Sequence, residues 1–189
     1  SSTNGTTWAL TVAAAIPGLV AYGASDAPGP MIGRLTTLFL TYWDDSAKSI
    51  LVYTSTDSGA NVTLVATVPS AGPAQGLAEW VDPAGNAVIW MKTREGIGYI
   101  RATISGTANY VPVHNFPGDQ ATAFGLEEWQ GNLYAPSQEG CNKCYWSNLG
   151  GQVGLIIEPI GLNKGAGVPP TKQGIITAMS RSDLFLFVA

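Results

Sequence analysis

The sequence predicts an all-β fold, a β-propeller-like ring of four-stranded antiparallel sheets amounting to about four blades or a fragment of a larger propeller. Three observations carry that prediction. A short hydroxyl, spacer, acid element recurs at Ser55-x-Asp57, Thr93-x-Glu95, Ser137-x-Glu139 and, more loosely, Ser180-Arg181-Ser182-Asp183, at intervals of 38, 44 and 43 residues. Apolar runs flank each copy, so each reads as the tip of a hairpin. Helical periodicity is nearly absent, and Gly, Pro, Asn and Asp clusters punctuate the chain at regular spacing. A strand repeat of about 40 residues is the spacing of units that cannot bury both faces alone and so stack on their neighbours.

In chain order, Trp8 to Ala15 is expected to form a strand ended by Pro17-Gly18, and Ala24 to Pro30 a Pro/Gly/Asp loop. The first repeat, about 35–70, holds Leu35 to Trp43, a turn at Asp44-Asp45, Ile50 to Tyr53, the Ser55 to Gly59 tip and Val62 to Val68. The second, about 77–115, holds Ala78 to Val81, the turn Asp82 to Asn86, Val88 to Met91, the Thr93 to Gly96 tip, Gly98 to Ile104 and Tyr110 to Val113. The third, about 122–160, holds Phe124 to Trp129, the turn Gln130-Gly131-Asn132, the Ser137 to Gly140 tip, Cys144 to Ser147 and Val153 to Ile157. After the loop Gly161 to Pro170 the fourth, about 172–189, holds Gly174 to Met179, the Ser180 to Asp183 tip and Leu184 to Val188. Trp43, Trp80 and Trp129 each end the first strand of their repeat, which sets the phase. The fourth repeat lacks an outermost strand and residues 8–15 lack a repeat, so pairing the two would close a single-domain ring.

Composition narrows the function classes. Charged residues make up only 12% of the 189, against a usual quarter, while Gly (23) and Pro (12) are abundant. A surface so poor in Lys and Glu fits a chain that meets other protein or lives outside the cell. The nine Lys and Arg are scattered singly and the net charge is −4, which excludes a clustered basic footprint for nucleic acid. No apolar run reaches the roughly 18 residues that span a bilayer, and Ala9 to Ala15 lacks the basic flank of a signal peptide. A start at Ser1 without Met and an end within an apolar run lead to the expectation of a segment excised from a larger assembly.

Ser55-Thr56-Asp57-Ser58-Gly59-Ala60-Asn61-Val62 resembles the Asp-box of sialidase-like (BNR-repeat) propellers, whose pattern is Ser-x-Asp-x-Gly-x-x-Trp, with Val62 standing where the family has an aromatic. A hydroxyl and a carboxylate two residues apart can satisfy the free backbone groups of a tight turn, and Gly59 can take the positive φ such a turn needs. The resemblance therefore implies a structural turn at Ser55, Asp57 and Gly59, on the side of the fold away from the family's substrate face. The family's triple-arginine clamp is not matched: of Arg34, Arg94, Arg101 and Arg181, two fall inside hairpin tips. No catalytic residue is carried over.

The residues offer few other constellations. Glycoside hydrolysis needs two carboxylates flanking one bond; the adjacent pairs Asp44-Asp45 and Glu127-Glu128, with Asp26, are the available acids, and neighbours on a strand point to opposite faces. Cys141 and Cys144 lie in a Gly-flanked tip and read as a local disulfide or as two free thiols. Zinc would need two further ligands, and His114 stands alone, so no metal and no cofactor is expected. His114 also lacks a nucleophile in an activating context. Trp43, Trp80, Trp129 and Trp146, with Tyr42, Tyr110 and Tyr145, supply aromatic surface either for packing between sheets or for stacking on sugars. The binding candidates are Trp43, Trp80, Glu127, Glu128, Trp129, Tyr145 and Trp146. The expected function is a non-enzymatic recognition or assembly module, extracellular or on a virion surface, that binds glycan or protein and forms homo- or hetero-oligomers. A sialidase-like glycoside hydrolase, or a fragment of one, is the competing expectation.

Overall fold

The computed structural model describes residues 25–81, 87–102, 108–115, 124–137, 140–150, 152–160, 176 and 178–189. Among them every regular element is a strand. β1 (Ala27–Arg34), β2 (Thr37–Asp44), β3 (Ser49–Ser55) and β4 (Thr63–Pro69) form the first sheet. β5 (Gly76–Val81), β6 (Ala87–Lys92), β7 (Gly96–Ala102) and β8 (Ala108–Asn115) form the second. β9 (Glu127–Trp129), β10 (Asn132–Ser137), β11 (Gly140–Leu149) and β12 (Gln152–Pro159) form the third, and β13 (Met179–Arg181) with β14 (Leu186–Val188) form a terminal hairpin. Each sheet is an antiparallel meander in sequence order, as short turns between consecutive strands require.

The sheets pack face to face in chain order, with β1 against β5, β5 against β9 and β9 against β13. Side-chain alternation lets each sheet serve two neighbours at once. In β6, Ile89 and Met91 join Trp43, Ile50, Val52 and Val68 of the first sheet. Trp90, between them in sequence, faces the other way and packs with Trp80, Leu126, Leu133 and Cys144. The third sheet repeats the arrangement: Leu133 and Ala135 turn to the second sheet, while Tyr134 turns to Ile176, Met179 and Leu186. Tyr42, Leu51 and Tyr53 form a further cluster on the first sheet's outward face. Spacing between the second and third sheets is tight at one point, because a Cβ on Gly76 would sit 2.7 Å from the backbone of Gly125 and Leu126. Gly125 N donates to Gln75 O there at 2.9 Å.

Several expectations are corrected. The stretch read as a loop up to Pro30 contains the start of β1, so the first sheet begins one strand earlier than its repeat. Trp43 consequently lies in a second strand, β2, whereas Trp129 ends the first strand β9 and Trp80 stands one residue before the end of the first strand β5. The tips shift in phase for the same reason. Ser55 opens the turn between β3 and β4, while Thr93 lies between β6 and β7 and Ser137 between β10 and β11. Consecutive turns of a meander lie at opposite ends of its sheet. Glu95, in the β6–β7 turn, bonds Ser70 and Ala71, which follow β4; that is the end of the first sheet opposite Ser55. The acid-tipped turns are therefore not equivalent. The expected strand 8–15, the turn 82–86, the loop 161–170 and Glu139 lie outside the described residues.

Candidate functional site

The turn from Ser55 to Asn61 is built as its residue types dictate. Ser55 Oγ donates to Asp57 Oδ1 at 2.7 Å and accepts from Gly59 N at 2.9 Å. Asp57 Oδ1 accepts from Asn61 N at 2.9 Å and Oδ2 from Asn61 Nδ2 at 2.6 Å. Gly59 takes φ +87°, which a side chain would strain. The Asn61 amides, then Ser55, hold the Asp57 carboxyl down at about 2. Each of these bonds to the Asp57 carboxylate stays inside its own turn.

The candidate acids are likewise engaged. Asp44 is held below the usual carboxylate range by the Ser46 hydroxyl, with the Ala47 amide adding to it. Asp45 pairs with Lys48 at 2.7 Å, and its own amide donates to Asp26 Oδ1 at 2.9 Å. Glu127 and Glu128, expected to diverge as strand neighbours, converge on one guanidinium. Arg181 Nε meets Glu127 Oε1 at 3.1 Å and Arg181 Nη1 meets Glu128 Oε2. β9 is only three residues long and β13 lies against it, so two flexible glutamates can wrap around one arginine that no local pattern could announce. Burial pushes the Glu127 carboxyl up despite Arg181, and Glu128 also accepts from Gly131 N at 2.8 Å. These carboxylates fasten turns and join the third sheet to the terminal hairpin.

Of the aromatic candidates, most sit between sheets. Trp80 stacks on Trp146 at 5.5 Å and tilts against Trp90 at 5.1 Å, and its indole N–H donates to Gly131 O at 3.0 Å. Trp43 is buried in the first interface, and Trp129 lies 5.9 Å from Tyr134 at the third. Tyr145 is the exception, half-buried, with Lys143 Nζ 5.3 Å from its ring centre. Cys141 and Cys144 are free thiols, one of the two alternatives expected for them. Three positions apart on β11, they point to opposite faces, Cys141 toward Tyr134 and Ile176, Cys144 toward Trp80 and Trp90. Burial pushes both thiols up to about 12. Among the described residues no group of His, Cys, Asp and Glu could hold a metal ion, and His114 is exposed on β8.

A concavity that the sequence reading missed lies on the outward face of the first sheet. Pro28 pairs with Tyr42 and Met31 with Leu40, so Gly29 and Pro30 together oppose the single residue Thr41. That two-to-one mismatch is a β-bulge, and Pro30 has no N–H to give the ladder. Thr41 Oγ1 fills in by donating to Pro30 O at 2.8 Å. Beside the bulge lies a cavity of about 240 Å³ lined by Pro28, Met31, Leu40, Tyr42, Tyr53 and Val62. Its lining is almost wholly apolar. The Pro-Gly-Pro run was the available signal, but breakers read as loop unless a ladder partner is known. Compared with family models and with curated proteins, the chain matches none.

Proposed function

We propose that the chain is a non-enzymatic recognition module, its stacked sheets arranged as consecutive blades of an open fragment of a propeller, that binds a protein partner through the groove on the first sheet. The groove carries this reading. Two tyrosines and three aliphatic or thioether side chains offer apolar contact, while the hydroxyl of Thr41 is already committed to Pro30 O. Sugars need several convergent polar groups, whereas an apolar side chain needs only a shaped pocket. The carboxylates available for glycoside hydrolysis are held in turns or by Arg181, which favours binding over hydrolysis. The low charge fits an extracellular or virion surface setting.

The test is to screen the chain in parallel against a display library of short peptides and a glycan array, then repeat with Met31→Lys. Peptides bearing a large apolar residue should bind, and the substitution at the rim of the groove should weaken them at least tenfold. Binding confined to glycans, peptide binding indifferent to Met31→Lys, or release of free sugar would each overturn the reading.

A further inference from the structure

We propose that the groove of the first sheet receives the terminal hairpin of a second copy of this chain. The inference rests on the protein-binding reading above and names its partner. Among the described residues each sheet lays an apolar face on the next in chain order, which gives the described stack two unlike ends. One end is the outward face of the first sheet, with its groove and with Met31 62% exposed at the rim. The other is the β13–β14 hairpin, where Leu184 is 73% exposed, Phe185 62% and Phe187 57%. Large apolar side chains so concentrated on one element mark an interaction surface.

The chemistry of the two ends is complementary. Phe185 and Phe187 stand 6.3 Å apart with tilted rings, a two-ring knob whose backbone is fixed by Ser182 N donating to Phe185 O at 2.8 Å. The groove is apolar, has Tyr42 and Tyr53 in its lining, and among the described residues is lined by no charged side chain that a phenyl ring would desolvate. The contact continues the order already present in the chain, with the last element of one copy next to the first sheet of another. Because knob and groove are different surfaces, the association is head to tail and leaves a free end for a further copy unless a ring closes.

Sedimentation of the full chain from micromolar to millimolar concentration tests this, with circular dichroism as the check of folding. Wild type should associate progressively, while Phe187→Asp and Met31→Asp, both at exposed positions, should each sediment as monomers. An equimolar mixture of the two variants retains one intact knob and one intact groove, and should give dimers that grow no further. Wild type that stays monomeric, association that survives either substitution, or a mixture that stays monomeric overturns the proposal. If wild type is monomeric yet captures apolar peptides in a Met31-dependent way, self-recognition alone fails; if it captures none, the protein-binding reading fails with it.

Discussion

The turns at Ser55 and Thr93 share a sequence pattern and do different jobs. In both, the hydroxyl is buried and caps the backbone of its own turn: Ser55 Oγ accepts from Gly59 N, and Thr93 Oγ1 accepts from Glu95 N at 3.2 Å and Gly96 N at 3.3 Å. The acids part company. Among the described residues Asp57 bonds within its hairpin, while Glu95, one methylene longer, reaches Ser70 Oγ at 2.9 Å and Ala71 N at 2.5 Å on the segment leaving the first sheet. Arg94 adds a bond from Nη1 to Ala71 O at 3.1 Å. The hydroxyl thus makes the turn, and the length of the acid decides whether that turn also joins two sheets.

Four substitutions sharpen the contrast, from largest effect to smallest. Ser55→Ala removes a buried hydroxyl that donates to Asp57 Oδ1 and accepts from Gly59 N, and should cost about 2 kcal/mol in denaturant unfolding, at about 1 kcal/mol for each hydrogen bond. Glu95→Ala should cost about 1–2 kcal/mol, the figure for a charged acceptor reduced by the exposure of Glu95. Glu95→Asp keeps the charge and shortens the reach, and should lose more than half of what Glu95→Ala loses; a wild-type midpoint would break the argument from length. Asp57→Asn should act mainly on acid unfolding. The folded carboxyl titrates near 2 against an ordinary 3.8, so its contribution is complete above 3.8 and is lost as pH falls toward 2. The variant should therefore show a shallower loss of stability between those pH values, measured by urea midpoints across the range.

Glu95 titrates in the same sense. Burial raises its carboxyl, but the Ala71 amide and the Ser70 hydroxyl together outweigh burial and leave it lowered. Acidification should then loosen both turns, while Glu95→Gln removes the acid sensitivity of the sheet junction and spares that of the Asp57 turn. Hydrogen exchange at Ala71 and Asn61 separates the two.

Strands announced by alternation and bounded by Gly, Asn or Asp were legible, as with β2, β3, β5 and β10. β1 was not, because Pro28-Gly29-Pro30 carries the local signal of a loop and becomes strand only through the bulge against Thr41. One missed strand displaced the phase of the whole repeat, so evenly spaced tips looked equivalent when they occupy opposite ends of the sheets. The site suffered from the same limit. The groove lies beside the bulge of β1 against β2, and the convergence of Glu127 and Glu128 depends on Arg181 more than fifty residues away. The opposite-facing thiols were available in principle, since a spacing of three in a strand reverses direction, but a Gly-flanked tip was read where β11 runs on.

Gly76 carries a consequence for tolerance to change. With backbone atoms 2.7 Å from where its first side-chain carbon would be, even alanine there acts as a wedge, and the strain falls on main chain that cannot rotate away. The gap between two sheets is thus dictated by one missing methyl group. A surface loop can drift through many substitutions while that position admits almost none.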